Sequence, residues 1–242
     1  MSKLHLVRTR KSQEYPKSVR ELAAFVRANK CSWPLVAHYL HHVLPTDSEE
    51  VKAQTFDKDV HFYMLDERMP DPTICELREL LEELYSLPTK RIDPRTLFIE
   101  YFVYQAGPLN SDMEKDSDFR REYQCSVFKQ SAKGDSECIA KSNATFDVAF
   151  LSCRSFEGYE CKVKLRNHIT YSAPISQWDK KIVRKLDFMK ATYSSLAKTG
   201  RTSSVYLASL DRVTQPINDA IRQNGYGCIS IIGPDELESI II

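Results

Sequence analysis

Apolar runs long enough to cross a bilayer, about 18 residues, are absent from this chain. Those near its end, residues 229–232 and 240–242, are strand-sized. The first eight residues carry no hydrophobic leader segment, so secretion is not expected. Glycine is scarce: seven scattered residues supply neither a Walker A loop nor a dinucleotide fingerprint. That argues against ATP-driven or hydride-transfer chemistry and against a nucleotide cofactor. The seven cysteines include no Cys-x-x-Cys pair, and Cys125, Cys138, Cys153 and Cys161 stand thirteen, fifteen and eight residues apart. Such spacing argues against zinc. An odd number of unpaired thiols fits a reducing compartment, and the expected location is cytoplasmic, or nuclear in a eukaryotic cell. The Asn143-Ala-Thr sequon is then accidental. His38, His41 and His42 have helical spacing, but no glutamate follows His38 as a metalloprotease helix requires, so they are expected to serve packing or the surface. Internal repeats and low-complexity segments are also missing.

What is present is an ordinary globular composition: 242 residues, 42% hydrophobic and 28% charged, enough for one large domain or two small ones. The net charge of +1 conceals a segregation along the chain. Residues 1–30 hold eight Lys/Arg against two Glu, residues 31–93 six against thirteen acids, and residues 161–201 ten against Asp179 and Asp187. Local excesses of this size point to an anionic partner, of which phosphate backbones are the commonest. On charge alone, solvated helix faces are the better explanation.

The first ninety residues read as helices. Ser18-x-x-Glu21 is a capping box opening a helix to about residue 30, with Val19, Leu22, Phe25 and Val26 as its stripe. Residues 33–44 continue the helical spacing up to Pro45, and Asp47-x-x-Glu50 opens another helix. Asp71 is the expected N-cap, with Pro72 first in a helix to Leu87 striped by Ile74, Leu77, Leu80, Leu81 and Leu84. Residues 96–104, rich in aromatic and β-branched side chains, fit a strand or a buried helix. A polar loop or short helix over 107–121 precedes strands expected at 123–129, 145–151 and 158–165. A long helix over 175–198 carries the stripe Ile175, Trp178, Ile182, Leu186, Met189, Tyr193 and Leu196. A strand at 204–210, a helix at 215–223 and a buried strand at 226–232 complete a β-β-β-α-β-α-β order, an α/β core.

The chemistry concentrates where Phe146-Asp147 is followed, after twelve residues, by Glu160-Cys161-Lys162. Strand alternation puts Glu160 and Lys162 on one face, with Cys161 facing away as a small core residue. If the two strands pair, Asp147 approaches them. Two carboxylates beside an ammonium can hold a divalent cation through oxygen ligands and activate a water against a phosphate. The other reading is a solvated sheet face with a cross-strand ion pair. The chain contains a second Glu-x-Lys, Glu50-Val51-Lys52, but at a helix N-terminus where its charges suit solvent and the macrodipole.

These residues, in this order of elements, resemble the PD-(D/E)xK nuclease superfamily over roughly residues 95–242. The resemblance implies a restriction-endonuclease-like mixed-sheet core after an N-terminal helical region. Residues 94–242 would form the nuclease-like domain, and residues 1–93 a recognition, dimerisation or regulatory module. Asp147 matches the first acid, Glu160 the second and Lys162 the lysine, while Phe146 stands where the name-giving proline would be. Mg²⁺ or Mn²⁺ on Asp147 and Glu160 is implied, with Lys162 orienting the nucleophile. Accessory positions of the family fall at Glu100 or Glu122, before the first motif strand, and at Gln177 with Lys181 after the last. Lys180, Lys181, Arg184 and Lys185, opposite the apolar stripe, join Lys164 and Arg166 as candidates for phosphate contacts. Tyr171 and Trp178 are candidates for stacking on bases, Trp178 fitting the core better. The expected activity is hydrolysis of DNA in restriction, defence or repair, by a homodimer. A nuclease-fold module that binds nucleic acid or protein without cutting, and a nuclease acting on RNA, are the alternatives.

Overall fold

A computed structural model of the chain describes residues 4–8, 14–63, 69–88, 93–130 and 136–240. Seven strands form one mixed sheet: β1 (Leu4–Arg8), β2 (Arg120–Gln130), β3 (Ser136–Cys138), β4 (Phe146–Leu151), β5 (Ser155–Lys162), β6 (Thr202–Ser209) and β7 (Ile229–Ile232). Their order is β1-β2-β4-β5-β6-β7, with β3 added on β2. The pairs from β1 to β5 are antiparallel, and β5–β6 and β6–β7 are parallel. A parallel pair needs a crossover, supplied by α6 (Lys180–Ala197) and α7 (Gln215–Ile221). The chain is therefore α/β, as its element order predicts.

The remaining helices, α1 (Lys17–Ala28), α2 (Trp33–His42), α3 (Glu49–Tyr63), α4 (Asp71–Tyr85) and α5 (Pro94–Ala106), precede β2, and α8 (Pro234–Ser239) follows β7. The sheet separates two hydrophobic clusters. On one face Val148, Phe150, Tyr159 and Cys161 meet buried side chains of α1, α2, α4 and α5. On the other, Ala149, Leu151 and Phe156 meet Ile182, Leu186, Met189 and Leu196 of α6 and Ile217 of α7. Every residue of β4 is buried, so its apolar texture answers to covering on both sides.

Residues 96–104 are helical because Asp93 caps α5, accepting from the Arg95 amide at 3.0 Å, with Pro94 preset for the first position. The buried Arg95 guanidinium then reaches the Leu40 and Val43 carbonyls at 3.2 and 2.8 Å, closing the C-terminus of α2 with a cation. The stripes of α1 and α4 are buried much as their spacing predicts.

Several boundaries differ. The Ser18 box is not used: Pro16 precedes α1, and Ser18 is buried inside it. Asp71 is the first residue of α4 and follows Pro70 at the cap. The long helix begins at Lys180, after a 3-10 turn at Ile175–Gln177, because Asp179 caps it through the Lys181 amide at 2.8 Å. Residues 222–226 prolong α7 as a π turn, which shortens the last strand to Ile229–Ile232. β1, β3 and α8 have no counterpart in the sequence reading, so the N-terminal region is not wholly helical. Residues 241 and 242 of the final apolar run, and Lys3, Arg10 and Lys11 of the basic N-terminus, lie outside the described residues.

Gly158, opposite Ala149, leaves room for the Phe146 ring: a Cβ there would lie 2.6 Å from that ring. Phe146 is packed against Phe156 and Phe188 at centroid distances of 5.4 and 4.8 Å and has little freedom to retreat. Gly158→Ala is expected to lose about 1–3 kcal/mol in urea unfolding. A variant as stable as wild type would contradict this packing.

Candidate active site

β4 and β5 pair with Val148 opposite Tyr159, and one step further along the same register lie Asp147 and Glu160. Alternation turns both, with Lys162, toward α6. Cys161 faces the other way, into the opposite cluster. Its amide donates to Asp147 Oδ2 at 2.8 Å. Lys162 Nζ donates to Glu160 Oε1 at 2.5 Å and to the Cys161 carbonyl at 3.0 Å, and stands 3.9 Å from Asp147 Oδ2. Lys185 of α6 reaches the same carboxylates. Its ammonium donates to Glu160 Oε2 and to the Thr145 carbonyl (2.6 Å), and lies 3.7 Å from Asp147 Oδ1. Each ammonium is thus framed by three oxygens, two from the same pair of carboxylates.

A third acid arrives from the opposite layer. Glu100 of α5, buried, accepts from Gln124 Nε2 at 3.4 Å, and the same amide donates to Asp147 Oδ1 at 3.3 Å. Gln124 adopts φ +48°, unusual for a side-chain-bearing residue.

The three acids differ in their hold on a proton. Burial opposes the Asp147 charge, but Lys185, Lys162 and the Cys161 amide outweigh it and keep the carboxyl below its usual range. Burial and the Asp147 charge push Glu160 up, against the two lysines. Burial and Asp147 hold Glu100 well above the ordinary glutamate value. Both lysines lose to burial yet gain more from Glu160 and Asp147, so their values are raised.

Of the sequence candidates, Asp147, Glu160, Lys162 and Glu100 are brought together. Glu122 is not, being taken by Arg8 of β1 at 2.6 Å. Gln177 is exposed in the turn before α6 rather than on that helix. Lys185 is not on the outer face, since its position is that of the core-facing stripe, three residues after Ile182 and four before Met189. A cleft of about 780 Å³ opens over Glu160, Lys162 and Lys185, with Lys181 and Arg184 among its lining residues. Lys180 is exposed nearby without lining it. Lys164 is half-buried, and Arg166 turns to Asp211, 3.4 Å away, in a different cavity. Trp178 is buried and Tyr171 exposed. The second Glu-x-Lys stays local: Lys52 pairs with Glu49 and Glu50 accepts from Gln54.

Gln124 and the inward role of Lys185 escaped the sequence reading. A lysine within an apolar stripe is a readable signal; a glutamine in a left-handed kink is not.

No protein-family model, curated protein or solved structure matches the chain.

The donor set suits a hard divalent cation, because carboxylate and carbonyl oxygens already surround two cationic nitrogens. Among the described residues, one group of three acidic or thiol side chains has its ligand atoms within 4.8 Å of one another: Asp116, Asp118 and Cys153, a largely exposed group. In the buried cluster the counter-charges are ammonium groups instead.

Lys185→Met, measured with chelator present, is expected to lose roughly 3 kcal/mol at neutral pH, the scale of breaking a buried pair. The elevated folded-state value of Lys185 makes its contribution complete below the usual lysine value, about 10.4, and lost as pH rises past the folded value. The gap to wild type should therefore close in strong alkali. An absent gap at neutral pH, or one that widens in alkali, would contradict the arrangement.

Proposed function

We propose that the protein is a metal-dependent nuclease that hydrolyses DNA phosphodiester bonds, with its sheet a version of the restriction-endonuclease-like core. The observation that carries this reading is the convergence of Asp147, Glu160 and Lys162 on one sheet face beneath an open, cation-lined cleft. Asp147 and Glu160 would hold Mg²⁺ or Mn²⁺, with Glu100 supporting Asp147 through Gln124. The bound cation would polarise the scissile phosphate and lower the pKa of an attacking water.

Lys162 is placed to orient that water and to stabilise charge gathering on the phosphate. Its raised value keeps it cationic at neutral pH, so it acts as donor and counter-charge rather than as base. Lys181 and Arg184 line the same cleft and would hold flanking phosphates, giving register without base recognition. Lys185 leaves the phosphate-binding set in this reading and joins the catalytic cluster as the cation opposite Lys162. A homodimer with a role in restriction, defence or repair completes the proposal.

Supercoiled plasmid, single-stranded DNA and an RNA oligomer incubated with Mg²⁺, Mn²⁺ or EDTA provide the test. DNA cutting is expected only with metal, and Glu160→Gln should slow it by roughly 100-fold or more. Undiminished cutting by the variant would remove Glu160 from the site. Absence of cutting with either metal, with DNA binding intact, would make the protein a non-cutting binding module.

A further inference from the structure

A second cavity, of about 320 Å³, opens beyond the end of β6, and among the residues lining it are Arg166, Tyr171, Arg212, His42 and Val213. We propose that it is a nucleotide subsite, holding one unpaired nucleotide of the substrate strand with its phosphate on Arg166 and Arg212 and its base against Tyr171. This inference rests on the nuclease reading for its biological sense, and not for its chemistry.

The acid at the cavity is already engaged. Asp211, buried, accepts from the Leu165 amide at 2.5 Å and the Ser209 hydroxyl at 3.1 Å, and pairs with His41 Nε2 at 3.1 Å. Arg166, with Nε 3.4 Å from Asp211 and one terminal nitrogen 3.1 Å from His41, has a side chain 53% exposed and guanidinium donors to spare. Arg212 lies over the Tyr63 ring at 5.4 Å, and among the described residues no carboxylate pairs with it. Two further acids reach the neighbourhood: Asp59 faces His38 at 3.1 Å, and Asp47 accepts from the Leu44 amide at 2.7 Å.

The local field is therefore positive. His42 is pushed down to about 4 by burial and then by His38, His41, Lys164 and Arg166, a penalty that an anion would relieve. Lys164 is lowered by burial and by Arg166 and Arg95, which outweigh Asp211 and Asp47.

The aromatic wall is prepared as well. Tyr171, 58% exposed, stands at the tip of a turn closed by the Ala173 amide on the Thr170 carbonyl at 2.9 Å. The Trp178 indole N–H, between the carbonyls of Thr170 and Ala173 at 3.0 and 3.2 Å, pins both ends of that turn. An exposed ring on a fixed support is what base stacking requires. The volume lies at the lower bound of small-molecule sites, about 300 Å³, which admits a mononucleotide rather than a duplex.

One chain segment contributes to both cavities. Lys162, the last residue of β5, and His168 of the segment after it line the catalytic cleft, and Arg166 and Tyr171 of that same segment line the second cavity. A strand held over Glu160 would cross this segment to reach Tyr171.

The test uses the full chain carrying Glu160→Gln, in EDTA, with dAMP and inorganic phosphate as separate probes, read by NMR of His42 and of the tyrosine rings. Titration with dAMP should raise the His42 pKa and shift the Tyr171 signals, while phosphate alone should bind more weakly. Arg212→Gln and Tyr171→Ala should each weaken dAMP at least tenfold, and Arg212→Lys and Tyr171→Phe should recover part of the loss. An unmoved His42, or binding that survives both substitutions, would overturn the proposal. Phosphate binding as tightly as dAMP, indifferent to Tyr171, would reduce the cavity to an oxyanion site and overturn it too. No metal or turnover is involved, so failure here leaves the cleavage assay untouched, and failure of cleavage leaves this result standing.

Discussion

Two carboxylates on neighbouring strands, both buried, repel each other unless cations stand between or beside them. Asp147 and Glu160 are in that position, and the described structure answers with Lys162 from the same strand and Lys185 from the crossover helix. Much else depends on this quartet. It ties β4, β5 and α6 together at one end of the sheet, and it distinguishes the acids, Asp147 ionised readily and Glu160 reluctantly. Buried ion clusters of this kind are weak sources of net stability compared with apolar packing.

Topology sets where that chemistry faces. β5 enters the sheet antiparallel to β4 and leaves it parallel to β6, so its C-terminal end lies beside the crossover to α6. Ligand sites in open α/β sheets gather outside the carboxyl ends of parallel strands. The second cavity follows this rule, beyond Ser209, and residues 163–171 run between it and the cleft over Glu160 and Lys162. The N-terminal helices contribute to each: Glu100 from α5 supports Asp147 through Gln124, and α2 presents its histidines beside Asp211. Trp33 of α2, stacked on Phe102 and bonded to the Pro234 carbonyl at 2.9 Å, ties this layer to the end of the chain.

Much of the arrangement was legible in the sequence. Period-two alternation around Asp147 and Glu160, and period-3.6 stripes in α1, α4 and α6, follow directly from burial on one face. What escaped has physical reasons. β1 is a five-residue edge strand whose pairing with β2 spans more than a hundred residues, and no local pattern announces such a partner. The Ser18 box lost to Pro16, which presets the backbone two residues earlier. As a charged residue Lys185 reads as outward-facing, although its spacing from Ile182 and Met189 is that of the buried stripe; a long apolar stem lets the ammonium reach the acids from there. Glu100 is the one charge between Arg95 and Asp112, an acid alone in an apolar run, and that isolation is what marks a buried acid with a partner elsewhere.

In the proposed function, the pair Asp147 and Glu160 is a cation site shared between ammonium groups and a divalent metal. Binding of Mn²⁺ to the metal-free protein, followed by the loss of the free-ion resonance in electron paramagnetic spectra, tests it most directly. The account predicts one saturable site in the wild-type protein that disappears in Asp147→Asn. Retained Mn²⁺ binding in that variant, or no binding to the wild-type chain, would contradict it.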